Sequence, residues 1–287
     1  MDEIHAVFHE DAWVERDWAV LNLLQQMTLH WNDFTEKVKH RTRFLFMTRE
    51  KRSTYDPDEL SVAEFFERLA QIMKDTPEVW HPLPADSVVY RGRMTDAVPD
   101  PRKYGAKLLG TPDESKAAAN RMSPAGIPMF YGSDSPETVI AEIGAHSSRQ
   151  HAIVGQFRTI RDLMVIDLSS LPDVPSRFDE ERRDHYYDIL FLRSFAEDLA
   201  RPVTLDGREH IDYVPTQIVT EYLRQQAPFQ VDGLQFASAQ CVGLNTVIFS
   251  TQDECVDEGD EDPAEHVLVL EKGTLTALRV AASIRTD

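Results

Sequence analysis

A chain of 287 residues, 42% apolar and 28% charged, is long enough for one large domain or two modest ones and can bury a core. Its 30 basic and 49 acidic residues leave a formal charge of −19, which repels nucleic acid and anionic lipid at long range and argues against both as partners. Two cysteines, Cys241 and Cys255, make neither a disulfide framework nor a CxxC metal pair. Together with an acidic start (Met1-Asp2-Glu3-Ile4) unlike a signal peptide, and no apolar run long enough for a membrane span, they point to the cytoplasm.

The first 80 residues read as helical. Trp13, Val14, Trp18, Leu21, Leu24 and Met27 recur at helical spacing between Asp11 and Trp31, and a second helix is predicted over Asn32 to Phe46. A third begins at the N-cap candidate Ser61 and carries Phe65, Phe66, Leu69, Ile72 and Met73 on one face. Their aromatic residues are expected in the core. His81-Pro82-Leu83-Pro84 then suits an extended connector.

Beyond it short strands are predicted at Ser87–Arg91, Pro128–Gly132, Ala152–Phe157, Leu163–Asp167, Gly233–Ala237, Asn245–Phe249 and His266–Leu270, with a last one at Thr274–Ile284. Helices are predicted at Pro136–His146, Glu180–Ala200 and Val214–Gln226. Mixed strands and helices without a regular βαβ rhythm predict an α+β fold. Residues 253–265 hold eight acids in thirteen positions, do not follow the EF-hand spacing, and read as a solvated, mobile loop. No metal site is expected.

Four stretches carry residues suited to chemistry. Val88-Val89-Tyr90-Arg91 is an apolar strand ending in a cation. From Arg91 to Arg121 seven basic residues face four acidic ones, a local reversal of the chain's charge that would suit a pyrophosphate, although surface ion pairs would explain the arginines as well. Next, a Pro/Gly-rich loop runs from Asn120 and Arg121 into a short strand closing on Tyr131. Ser135-Pro136 then starts a helix whose buried stripe would be Val139, Ile140 and Ile143, with Glu142 at its edge. That glutamate is either partly desolvated or an ordinary solvated helix residue. Finally, Gly233–Gln240 and Gly243–Phe249 form two strands joined near Ser238. No GxSxG elbow and no nearby histidine accompany Ser238, so it reads as a hydrogen-bonding group rather than a nucleophile.

In this order the four stretches resemble the RES domain, a family named for an arginine, a glutamate and a serine. The matching residues are Arg91; Arg121 to Pro124 with Gly126, Pro128 and Tyr131; Glu137-Thr138-Val139 with Glu142; and Ser238 with Asn245 and Phe249. Met122 and Ser123 stand where the family has Trp-Asn, and Gln240 where arginine is common. The resemblance spans about residues 85–255 and implies an ADP-ribosyltransferase-like RES domain over 85–287, preceded by a small HEPN-like helical domain over 1–80. Residues 1–80 lack the Arg-x4–6-His spacing of ribonuclease members, so RNA cleavage is not expected there.

What the resemblance implies about activity is an enzyme that takes NAD as its substrate, without metal, and breaks the nicotinamide–ribose bond. Such an enzyme is a glycohydrolase or a phosphorylase according to its acceptor. It would be the toxin of a toxin–antitoxin pair, with an Xre-type antitoxin as partner, and an oligomer is compatible with this. Glu142 would stabilise positive charge on the ribose, and Arg121, with Arg91, would hold the pyrophosphate or the nicotinamide amide. Tyr131 would stack on the nicotinamide or its ribose, and Ser238 would hydrogen-bond a ribose hydroxyl or the amide. Asn245 belongs to the same NAD-binding set. Two other outcomes are open: transfer of ADP-ribose to a macromolecule, and an inactive interaction module.

Overall fold

The structure is a computed structural model that describes residues 21–44, 61–145, 147–201 and 209–280. Helix α1 spans Leu23–His40 and opens on a reciprocal cap between Asn22 and Gln25. It runs without interruption through Trp31 and Asn32, where the sequence predicted a boundary. No proline or glycine breaks the chain there, and Met27, Trp31, Phe34 and Val38 form one buried stripe. The predicted start at Asp11, with Trp13, Val14 and Trp18, and the predicted end at Phe46 lie outside the described residues. Helix α2, Val62–Asp75, has the expected Ser61 cap, reciprocated by Glu64.

The strands β1 (Trp80–Leu83), β2 (Val88–Thr95), β3 (Phe130–Ser133), β4 (His151–Thr159), β5 (Leu163–Asp167), β6 (Gly233–Ala237), β7 (Leu244–Ile248), β8 (Cys255–Asp257) and β9 (Leu268–Arg279) form one nine-stranded mixed sheet. Its order is β1-β5-β6-β7-β3-β2-β4-β9-β8, and the fold is α+β. Helix α3 covers Pro136–Ala145, α4 Tyr186–Ala200 and α5 Val214–Gln225. The predicted last residue of α3, His146, is outside the described residues. Helix α4 starts later than predicted, after a 3-10 turn at Arg183–His185.

Three further expectations are corrected. The proline-containing connector is a strand: β1 pairs antiparallel with β5 at the sheet edge, where Pro82 costs no interior ladder bond. The two strands predicted at the C-terminal end are one, β9, paired along β4 with an irregularity between Val154 and Gln156. The end predicted at Ile284 is outside the described residues. The acidic stretch is not wholly loop, because Cys255–Asp257 pairs in parallel with β9 and buries Cys255. Within it Asp257 accepts from the Ala106 amide and pairs with Lys272, so part of its charge is used structurally.

Alternation along the strands sends neighbouring side chains to opposite faces. Phe130 and Ile248 join Phe157, Leu268 and Leu270 on one face, while Met129 and Val247 join the helical side. On that side Trp31, Phe34, Phe65 and Phe66 share one apolar cluster with Phe191 and Phe195 of α4 and with Val219 and Leu223 of α5. Trp31 meets Phe195 edge-on at 5.0 Å between ring centroids, and Phe34 meets Phe66 at 5.2 Å. Packing is therefore continuous from α1 and α2 into the sheet. Phe65→Ala should lower unfolding free energy by about 3–5 kcal/mol. Because the cluster is shared, urea denaturation followed by circular dichroism and by tryptophan fluorescence should shift together.

Candidate active site

Strands β2 and β3 are neighbours, yet their ladder consists of one paired position, Tyr90 with Ser133. A cleft of about 380 Å³ lies where they part, lined by Arg91 and Gly92 of β2 and by Tyr131, Gly132 and Ser133 of β3. Arg91 spans the gap. Its Nη1 donates to the Tyr131 carbonyl at 2.5 Å and its Nε to the Leu109 carbonyl at 2.6 Å, with Phe130 under the guanidinium. Burial pushes Arg91 down to about 10, which leaves it charged at neutral pH. The side chain predicted to hold a ligand thus spends two of its donors on backbone.

Helix α3 brings Glu142 into the cleft. Ser135 caps it, accepting from the Thr138 amide at 3.1 Å. Two glycines let the helix approach the sheet. A Cβ on Gly92 would stand 2.6 Å from Val139 Cγ1, and one on Gly243 2.1 Å from Thr138 Oγ1. Of the predicted stripe only Val139 is fully buried, and Ile140 and Ile143 are half-buried, because α3 lies over the cleft rather than over a closed core.

The Glu142 carboxylate is held on one side. Ser238 Oγ donates to Oε1 at 2.6 Å and Asn245 Nδ2 donates to the same oxygen at 2.7 Å. Ser133 Oγ donates to Asn245 Oδ1 at 2.8 Å, which turns the Asn245 amide nitrogen toward Glu142. Ser238 accepts from the Gln240 and Cys241 amides at 3.1 and 3.3 Å. Its proton is therefore committed to Glu142, and it acts as a positioning residue in this structure rather than as a free donor to a ligand. Oε2 of Glu142 bonds none of the described residues. Gln240 lines the cleft, and its backbone, not its side chain, reaches Ser238.

Arg121 forms the far wall. Its Nη1 donates to the carbonyls of Leu199 and Arg201, at the C-terminal end of α4, at 2.7 and 2.5 Å. Burial lowers its pKa, and Tyr213, Glu142 and Tyr131 oppose that shift. The departures in the arginine loop are built in. Met122 is buried in the main cluster and its sulfur accepts from Thr220, while Ser123 shares a 2.9 Å hydrogen bond with the Tyr131 hydroxyl. Burial pushes Tyr131 up to about 12, partly offset by that bond.

The structure thus brings Arg91, Arg121, Tyr131, Glu142 and Asn245 to one cleft, with Ser238 directly behind Glu142. Sequence reasoning missed Ser133, Tyr213 and the two helix-seating glycines, and it named Ser123 only as a departure from the family loop, not as the partner of Tyr131. Ser133 was within reach, since it lies two residues after Tyr131 on the same strand face. Tyr213 had no local signal.

With this geometry in place, family comparison is decisive. Residues 97–269, more than half the chain, match the family model described as "RES domain". The chain belongs to the RES-domain family. Arg91 precedes the matched span, whereas Arg121, Tyr131, Glu142, Ser238 and Asn245 fall inside it. Residues 1–52 match the model described as "HEPN/RES N-terminal domain 1". No curated protein matches. Among solved structures, a chain of the crystal structure of the M. tuberculosis MbcT-MbcA toxin-antitoxin complex is 15% identical, with 75% of this RES-domain chain and 92% of that chain covered and a TM-score of 0.34. That likeness is too slight to carry residues or partners across. Among the described residues no helix is long and apolar enough to cross a membrane, and no cluster of three potential metal ligands occurs.

Two predictions follow from the packing. Tyr131 holds its proton from its ordinary value of 10.0 up to about 12, so the folded state binds more protons than the unfolded one in that window. Its contribution to stability should be complete below pH 10.0 and fade toward about pH 12; in Tyr131→Phe the fall of the urea midpoint across this range should be shallower. Gly243→Ala should cost about 1–3 kcal/mol by pressing on Thr138, measured by thermal denaturation.

Proposed function

We propose that this RES-domain protein binds NAD in the cleft and breaks its nicotinamide–ribose bond, as the toxin of a toxin–antitoxin pair in the cytoplasm. The observation that carries this reading is the Glu142 carboxylate, fixed through Oε1 by Ser238 and Asn245 with Oε2 bonded to none of the described residues. A carboxylate set in place before reaction lowers the energy of positive charge that develops later, without reorganising when it appears.

The bond between ribose C1′ and the nicotinamide ring nitrogen breaks with its electron pair passing to that nitrogen. Nicotinamide leaves neutral, so the step asks for no general acid. The ribose becomes oxocarbenium-like, and Glu142 faces that charge. Such stabilisation is stronger in the transition state than in the ground state, which is the condition for raising kcat. Water adding to C1′ and losing a proton gives ADP-ribose; phosphate adding there gives the 1-phosphate ester. Arg121 attracts the pyrophosphate through the Nε and Nη2 groups that its carbonyl contacts leave over. Tyr131 offers a ring face held by Ser123. Asn245 and Ser238 serve NAD through Glu142 rather than by direct contact. The partner is an Xre-type antitoxin, a reading that rests on the family resemblance.

Incubation with NAD and chromatography of the products tests this. Glu142→Gln should lower nicotinamide release by about 100- to 1,000-fold in kcat with little change in KM, and Ser238→Ala by about tenfold, the scale of one hydrogen bond to a charged group. Free ADP-ribose or its phosphate ester supports cleavage. Labelled macromolecule would instead mean ADP-ribosyl transfer, and absence of any nicotinamide would mean an inactive interaction module.

A further inference from the structure

Behind Arg121 lies a second hollow of about 330 Å³. Asn32, Thr35 and Lys39 of α1 form one side, and Asp198 and Asp212 contribute to the other. Arg121 and Tyr213 line both this hollow and the cleft, and the guanidinium lies over the Tyr213 ring. The two spaces are therefore adjacent, with one cation in the wall they share.

That cation differs from the other basic groups around the hollow. Lys39 Nζ lies 2.9 Å from Asp212 and Arg201 Nη2 lies 2.5 Å from Asp198. Arg121 has no carboxylate partner among the described residues, and its only bonds there go to two carbonyls through Nη1. A desolvated guanidinium with donors to spare favours an anion that can bridge to it.

We propose that the two hollows are halves of one dinucleotide site, with a pyrophosphate at Arg121 and an adenosine half in the hollow bounded by α1. This rests on the reading of the cleft as an NAD site and extends it to a part of the chain that reading does not use. A dinucleotide is two nucleosides joined at a pyrophosphate; here two hollows join at an unpaired cation. With the reacting ribose beside Glu142, the remainder of the molecule passes Arg121 and enters the second hollow. The groups there fit adenosine. Asn32 presents an exposed amide able to pair with the donor and acceptor of an adenine edge. Asp212 uses Oδ1 for Lys39, and its Oδ2, bonded to none of the described residues, can accept from a ribose hydroxyl. The N-terminal helix is thereby part of the substrate site.

Calorimetric titration with ADP tests the proposal, because ADP carries the pyrophosphate and adenosine but no scissile bond. Wild-type protein should bind ADP. Asn32→Trp, at an exposed helix position that tolerates a larger side chain, should plug the hollow and weaken binding about tenfold or more. Lys39→Met, which leaves Asp212 unneutralised, should weaken it in the same direction. Absence of ADP binding by the wild type, or equal affinity in Asn32→Trp and Lys39→Met, overturns the proposal. Nicotinamide release by the same preparations judges the cleavage reading separately: release without ADP binding removes only the second half-site, and ADP binding without release removes only the cleavage.

Discussion

The structure depends on a seam. Two neighbouring strands in the middle of a nine-stranded sheet share one paired position, and beyond it the backbone ladder stops. Backbone carbonyls left at such a gap need donors, and the Arg91 side chain supplies one to Tyr131 of β3 while its Nε bonds the Leu109 carbonyl outside the sheet. The same interruption opens the cleft. A fully laddered sheet would bring β2 and β3 together and leave no space between them. A half-buried arginine that looks like a ligand-binding group is thus first a structural clamp, and what it offers a ligand is mainly its charge.

The helical layer sets the other wall. Helices α1 and α2 pack into the same apolar cluster as α4 and α5, so aromatic contacts that are not part of the cleft lining fix the position of α4. The C-terminal carbonyls of α4 then hold Arg121. The end of a helix carries partial negative charge, which suits a guanidinium. The chain from Trp31 through Phe195 to Leu199 and Arg121 links the N-terminal helices to the site by direct contact. This is a physical reason for a RES domain to carry a helical segment ahead of it, whatever that segment does besides.

The sequence was most legible where local chemistry is strong. Ser61 and Ser135 mark helix starts because their hydroxyls satisfy free amides, and both do so here. Glu142, Tyr131 and Arg121 were legible as a set through the family pattern. The pattern did not say how they are held. Ser238 was read as a contact to the ligand, and its hydrogen bond to Glu142 spans 96 positions of chain, a relation that no local window contains. Gly92 and Gly243 gave no motif, because their role is defined only by the helix that crosses them.

What the sequence by itself determined is the α+β class, most element positions and the family, together with a set of side chains that the structure gathers around one cleft. Those follow from periodicity, capping and motif order, all of which are local or nearly so. Tertiary structure alone decided that α1 is one helix, that β9 is one strand, that the acidic stretch gives up three residues to the sheet edge, and that Glu142 is fixed through a single oxygen. Each of these depends on partners distant in the chain, and hydrogen-bond and packing energies act through space without regard to sequence separation.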